Sequence, residues 1–244
     1  RDYRKNQSKK AKTPYEKKQT HIEVQKIKKD LLSYAKTRWG KRWVRSILKF
    51  GRPFRMKRGI KYAEEERRIS NISINKGEIF ATVQGTAPSP YRVRIEFKIV
   101  EKDKWKKIIQ EISKNLLVII RLFEGKLPEE INSIFKNYGT SLFPNAAKSL
   151  EAKCSCPDQE VPCKHIAAIV LYLARVIDYN PFILLKIRGV TKKELLSKLF
   201  SKGLSKDRVS ESPKGMKEEF KPDFSYNIPS QSIENLNIEE DNFN

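Results

Sequence analysis

The sequence predicts a mixed α+β protein in which a small antiparallel sheet packs with helices, a further strand-helix unit follows, and extensions flank the whole. Three observations carry this. Apolar residues alternate with polar ones between residues 72 and 98, recur at helical spacing on either side of that stretch, and nearly vanish at both ends. At 244 residues and 39% hydrophobic composition, the chain has enough apolar surface for one ordinary core. The organisation read from these patterns is a basic extension over residues 1–38, an α+β core over 39–150, a strand-helix unit with following helices over 151–200, and a polar tail over 201–244.

From Arg1 to about Thr20 almost nothing can be buried, so this stretch is expected to be disordered or held by a partner. From Val24, the residues Ile27, Leu31, Leu32 and Ala35 mark a helix, and after Gly40 a second stripe runs through Trp43, Ile47 and Phe50. Trp39, Trp43 and Ile47 share one helical face, which reads as core rather than as a stacking surface for bases. Ile72 and Ile74, a turn at Asn75-Lys76-Gly77, then Ile79, Ala81 and Val83 form a hairpin with one buried face. A third strand runs from Tyr91 to Lys98, with Val93, Ile95 and Phe97 inward and Arg92, Arg94 and Lys98 on the other face, which is expected to be basic.

Asp103 is the expected N-cap of one helix through Trp105, Ile108, Ile109, Ile112, Leu116, Ile119 and Ile120, ending near Gly125. Pro128 opens the next, with Ile131, Ile134, Phe135 and Tyr138 inward and Gly139 closing it. Thr191 and Glu194 have the spacing of a capping box ahead of Leu195, Leu196, Leu199 and Phe200. Beyond Ser201 the chain is polar, with isolated Phe220, Phe224, Tyr226 and Phe243 as anchors onto something larger.

Charge narrows the partner. The chain holds 51 Lys and Arg against 29 Asp and Glu, a net +22, and residues 1–61 alone hold 22 against 4. An excess this concentrated points to a polyanion, with nucleic acid ahead of a lipid surface, because residues 1–20 lack a bulky apolar face; a solvated, idle extension is the bland alternative. Arg52, Arg55, Lys57 and Arg58 with Phe54 form a compact basic-aromatic loop, and Arg92 and Arg94 extend that patch. Glu64-Glu65-Glu66 reads as a solvated turn and His21 as exposed and idle. No stretch approaches the roughly 20 apolar residues of a membrane span, and no secretory signal is visible, so a soluble, cytoplasmic protein is expected.

All three cysteines and one of the two histidines fall within twelve residues: Cys154, Cys156, Cys163 and His165. Three thiolates and an imidazole match the preferences of Zn²⁺. In a strand, Cys154 and Cys156 face one side; Pro157 and Pro162 turn the chain back; Cys163 and His165 then open an apolar helix over residues 166–177 whose free N–H groups favour a thiolate. Buried free cysteines, or a disulfide with one thiol left over, explain neither His165 nor the clustering. Four ligands leave no open position, so one structural zinc is expected, with no chemistry at the metal.

The Cys-x-Cys-x6-Cys-x-His pattern, with a strand before and an apolar helix after, resembles the SWIM zinc finger. Segments Trp39–Trp43, Arg58–Ala63, Val83–Val93, Asp178–Phe182 and Ile187–Gly189 are similar to the surroundings of the finger in prokaryotic SWIM-family proteins. The resemblance implies ligation by Cys154, Cys156, Cys163 and His165, a role in binding DNA, RNA or protein, and no inherited activity. No nucleophile-base pair, carboxylate pair or phosphate-cradling loop stands out elsewhere.

The sequence therefore predicts a non-enzymatic, zinc-binding nucleic-acid-binding protein. RNA is favoured over DNA, and the expected setting is a large RNA-protein particle such as the ribosome, where long basic ends fold onto phosphates. The residues expected to meet nucleic acid are Lys9, Lys10, Lys12, Lys17, Lys18, Arg38, Lys41, Arg42, Arg45, Arg52, Arg55, Lys57, Arg58, Arg92 and Arg94. The alternative is a DNA-binding or protein-interaction adaptor of a Swi2/Snf2-type ATPase; a transposase-related DNA binder without its catalytic domain is a third reading.

Overall fold

The computed structural model describes residues 14–49, 53–65, 67–144, 150–203 and 236–237. Three helices open it: α1 (Pro14–Tyr34), α2 (Arg38–Ile47) and α3 (Pro53–Glu64). Strands β1 (Ile69–Asn75), β2 (Glu78–Val83) and β3 (Tyr91–Phe97) follow, then α4 (Lys102–Ile112), α5 (Leu116–Phe123) and α6 (Glu130–Asn137). Strand β4 (Leu150–Cys154) leads into α7 (Lys164–Tyr179), α8 (Ile183–Ile187) and α9 (Lys192–Gly203), and a two-residue strand β5 (Leu236–Asn237) comes last. The sheet order is β4-β3-β2-β1-β5, with β1 to β4 antiparallel and β5 parallel to β1.

Helix α7 is the hub. It buries 11 of its 16 residues, from His165 to Ile177, as a helix apolar on nearly every side must. α2, α3, β3 and β4 all pack on it. The approach of α3 depends on Gly59, where a Cβ would lie 2.7 Å from the Cβ of Ala167. Trp43 is fully buried and donates its indole N–H to the Val170 carbonyl at 2.8 Å, so the reading of it as core holds. Trp39 is half-buried, stacked on Phe143, and donates to the Leu127 carbonyl at 3.1 Å.

Four sequence expectations change. The stretch assigned to a basic extension ahead of the core contributes to that core: α1 begins at Pro14, and its Ile27, Leu31 and Ala35 are buried because they repeat on one face opposite α3. Residues 1–13 lie outside the described residues. The stretch from Arg55 to Arg58 is not a loop but the first part of α3, with Met56 turned inward.

The long helix from Asp103 is two helices. Glu101 is the N-cap residue of α4, and a break at Ser113-Lys114-Asn115 lets the Asn115 side chain cap α5 by accepting the Val118 N–H at 3.2 Å. The reorientation leaves Leu116 and Ile120 exposed. Finally, the strand before the cysteines is no separate finger strand. β4 pairs with β3 through Val93↔Cys154 and Ile95↔Ala152, so the cysteine-rich unit and the sheet share one core.

Candidate metal centre

Each ligand is placed by a different local device. Cys154 ends β4, and the strand register runs one residue further: Ser155 N donates to the Arg92 carbonyl at 3.0 Å, and Arg92 N donates to Ser155 Oγ at 2.9 Å. That double link holds the residue between Cys154 and Cys156 against β3. Cys163 is the N-cap of α7, its Sγ accepting the Ile166 N–H at 3.4 Å, and His165 sits in the first turn. Between them the loop turns through Pro157 and Pro162, with a cis peptide at Val161–Pro162.

The four donor atoms lie within 4.8 Å of one another. His165 Nδ1 is 3.7 Å from Cys154 Sγ and 4.0 Å from Cys163 Sγ. A tetrahedron with Zn–S and Zn–N bonds of ordinary length has edges of about 3.5–3.8 Å, so the cluster has the size of a zinc site. Cys163 and His165 are buried, while Cys154 and Cys156 are half-buried. A cation there is shielded on one side by the core.

The electrostatics agree. A hydrogen bond from the Cys154 thiol is the largest influence pulling Cys163 down to about 4; burial opposes it, and His165 and the Ile166 N–H assist. Cys154 is pushed up by sharing that proton and by burial, and Cys156 is pushed up chiefly by burial. Three sulfurs share too few charges among themselves, and a divalent cation relieves this by replacing the shared protons.

The surroundings of His165 are not singled out residue by residue in the sequence. Its ring lies 4.5 Å from that of Tyr91 and meets Tyr62 edge-on at 5.4 Å. Gly85 comes so close that a Cβ would lie 2.5 Å from the Tyr91 ring and 3.0 Å from His165 Nε2. That Nε2 is buried and has no hydrogen-bond partner among the described residues. The imidazole is therefore oriented by ring packing rather than by the usual second hydrogen bond. Tyr62, Gly85 and Tyr91 fall in the segments that carry the family resemblance, which is the only signal pointing to them.

A closed Cys₃His cluster between a sheet edge and a helix start defines a zinc-binding finger. Residues 138–174 match the SWIM zinc finger, and the chain carries that domain. It is also 37% identical over 165 residues to Rv2102, an uncharacterized protein of Mycobacterium tuberculosis; the match covers 68% of this chain and 59% of the relative. The chain thus spans about three fifths of the relative's length. No solved structure matches the chain.

The cationic candidates divide. Lys9, Lys10, Lys12 and Arg52 lie outside the described residues, and Lys17 and Lys18 sit in the first turns of α1. Four of the arginines are engaged internally. Arg38 pairs with Glu129 at 2.6 Å; Arg42 reaches the same carboxylate at 3.7 Å while lying over Trp39. Arg55 pairs with Asp158 at 3.2 Å and with Glu160, tying α3 to the loop between the cysteines. Arg94 pairs with Glu78 and Glu96.

The outer sheet face is accordingly not basic: Arg92, Arg94 and Lys153 share it with Glu78, Glu96 and Glu151, because the register sets acid rows beside basic ones. Arg45, Lys57 and Arg58 are exposed and Lys41 is half-exposed, with no carboxylate within 4 Å among the described residues. Among those residues no helix is long and apolar enough to cross a membrane.

Proposed function

We propose that this protein is a non-enzymatic nucleic-acid-binding protein in which one structural zinc fixes the scaffold and the N-terminal helices meet phosphates. The carrying observation is the placement of Arg45 on α2, Lys49 in the turn after it, and Lys57, Arg58 and Lys61 on α3 as exposed cations in the part of the chain where 22 basic residues face 4 acidic ones. Like charges gathered on rigid helices cost self-repulsion unless an anion is to be met. Phe54, exposed beside them on α3, offers a stacking ring. The Arg55 link to Asp158 and Glu160 ties α3 to the metal loop as well. RNA is the favoured ligand, within a large RNA-protein particle such as the ribosome.

The test is fluorescence anisotropy with a structured RNA and a DNA duplex across a salt series. Removing residues 1–13, which hold six Lys or Arg, is expected to weaken binding and flatten the salt slope by roughly 0.7–0.9 for each phosphate no longer neutralised. Binding to neither polymer at low salt overturns the reading. Sedimentation of native extracts then tests the setting: co-migration with ribosomal particles supports it, and recovery with a motor ATPase after nuclease treatment replaces it with the adaptor reading.

A further inference from the structure

Helix α5 fully buries only Val118 and Leu122, and its other face carries Leu116, Leu117, Ile120 and Phe123 at the i, i+1, i+4, i+7 spacing of a single ridge. Leu116 is 68% exposed, Leu117 67%, Ile120 44% and Phe123 39%. The two ends of this ridge differ in shape. At the start of α5 an open cavity of about 520 Å³ separates Leu116 and Leu117 from Ser133, Ile134 and Asn137 of α6. At its far end Phe123 meets Phe200 of α9, itself 55% exposed, with ring centroids 4.7 Å apart, so two aromatic rings stand out together. A hole and a knob thus lie on one apolar surface, about 10 Å apart along the helix axis.

We propose that this surface joins two copies of the chain, α5 against α5 about a twofold axis near Ile120, with the Phe123–Phe200 pair of each copy seated in the cavity of the other. A twofold interface requires a patch that complements itself, and a hole and a knob at opposite ends of one helix do so when the two helices run antiparallel. Ile120 lies between the ends and meets its own mate at the axis. An apolar cavity of about 150 Å³ already accepts a benzene ring, so a cavity of about 520 Å³ has room for both phenyl groups. At these exposures the five side chains present on the order of 500 Å² of open apolar surface, and the flanking ion pairs bring each copy near the roughly 800 Å² of a standard stable interface.

Charge selects a second copy over the polyanion that the first helices are suited to meet. The chain carries a net +22, yet residues 111–138 hold 4 Lys or Arg against 4 acids. Around the ridge the charges are matched within the chain: Lys114 pairs with Glu111 at 2.8 Å, Arg121 with Glu130 at 3.2 Å and Lys126 with Glu124 at 3.1 Å. A polyanion gains little from cations already neutralised by their neighbours, whereas two copies of a strongly cationic chain approach most readily through a face that is locally neutral. The excess on α9, 4 Lys against Glu194, falls in the antiparallel arrangement opposite Glu111 and Glu130 at the other copy's cavity rather than opposite itself. This inference does not depend on nucleic-acid binding.

The experiment follows the full chain, freed of nucleic acid by nuclease, by sedimentation equilibrium over about 1–100 µM. The expected result is a mass that rises with concentration from 28.5 kDa toward twice that value. Leu117→Asp is expected to weaken the association about thirtyfold or more while zinc content and helical signal stay unchanged. Ile22→Asp, at an exposed position on α1, is expected to leave it intact. The arrangement is read by placing p-benzoylphenylalanine at Leu117, mixing isotopically labelled and unlabelled chains, and mapping the photo-cross-link by mass spectrometry; a link to Phe123 or Phe200 of the second copy is expected. A monomer at every concentration, a dimer that Leu117→Asp leaves unchanged, or an equal loss with Ile22→Asp overturns the proposal. So does a link only to the chain's own residues or to another protein, or no link between copies.

Discussion

Cys163 both caps α7 and faces the other three donors, and two substitutions separate these roles. Serine keeps an N-cap acceptor and loses the thiolate; alanine loses both. Both variants are expected to lose zinc by elemental analysis, and Cys163→Ala should be less stable than Cys163→Ser by about 1 kcal/mol in denaturant titrations. Gly85→Ala tests the packing around the imidazole: its methyl meets the Tyr91 ring and His165 Nε2, so zinc affinity measured by chelator competition should fall about 10-fold or more.

The same assay gives a pH dependence. Cys154 and Cys156 have thiols pushed up by proton sharing and burial, and these must release protons for the metal. Affinity should therefore rise with pH through the neutral range and fall on acidification; a flat profile from about pH 6 to 8 contradicts thiolate ligation. The four ligands were legible because their chemistry and spacing are local. Arg188 was not: it is buried at the end of α8, bonded to Thr140 Oγ1 at 3.3 Å and to the Lys98 carbonyl, and burial lowers it to about 10. Nothing in the neighbouring sequence signals a buried cation held by oxygen atoms 48 and 90 residues away.

Helices α2 and α7 are joined at a corner that one carboxylate holds. Asp178, near the end of α7, accepts from Lys36 N at 2.6 Å, Thr37 N at 2.8 Å and Thr37 Oγ1 at 2.6 Å, and Thr37 in turn caps α2. Asp178→Ala removes acceptors from three donors, and a loss of about 2–3 kcal/mol is expected in denaturant melts, with zinc content unchanged. Gly59→Ala tests the α3–α7 crossing, where the added methyl meets backbone and Cβ of Ala167; a cost of about 1–3 kcal/mol is expected in the same melts. The strands of this sheet were readable from alternation, and α7 from its length and apolarity. The division of α4 from α5 was not, because the apolar spacing runs on through Ser113-Lys114-Asn115 and only the Asn115 cap and the packing of α4 against α6 decide where the helix stops.

Because the donors sit at the end of β4 and at the start of α7, which pack against one core, zinc loss should be felt well beyond the exposed loop that joins them. Chelation is expected to lower the melting temperature and to release hydrogen-exchange protection first over residues 154–168, where β4 ends and α7 begins, before the β1–β2 hairpin. Full retention of helical signal and protection after complete metal removal contradicts a structural role. The distribution of charge also acts at this level, since the cations of α1 to α3 sit on helices packed against the metal-anchored hub, so metal removal should weaken polyanion binding as well.

The sequence by itself determined the metal donors, the single core, the α+β class and the cationic bias of the first helices, because these follow from residue chemistry, short spacings and composition. Only the tertiary structure decided that α1 belongs to the core, that the finger strand completes the sheet, that the outer face of β3 is neutralised, and that α5 turns an apolar ridge outward. Each of those depends on which distant residues meet, and pairing registers, shared carboxylates and helix crossings are settled by packing between segments that local periodicity does not encode.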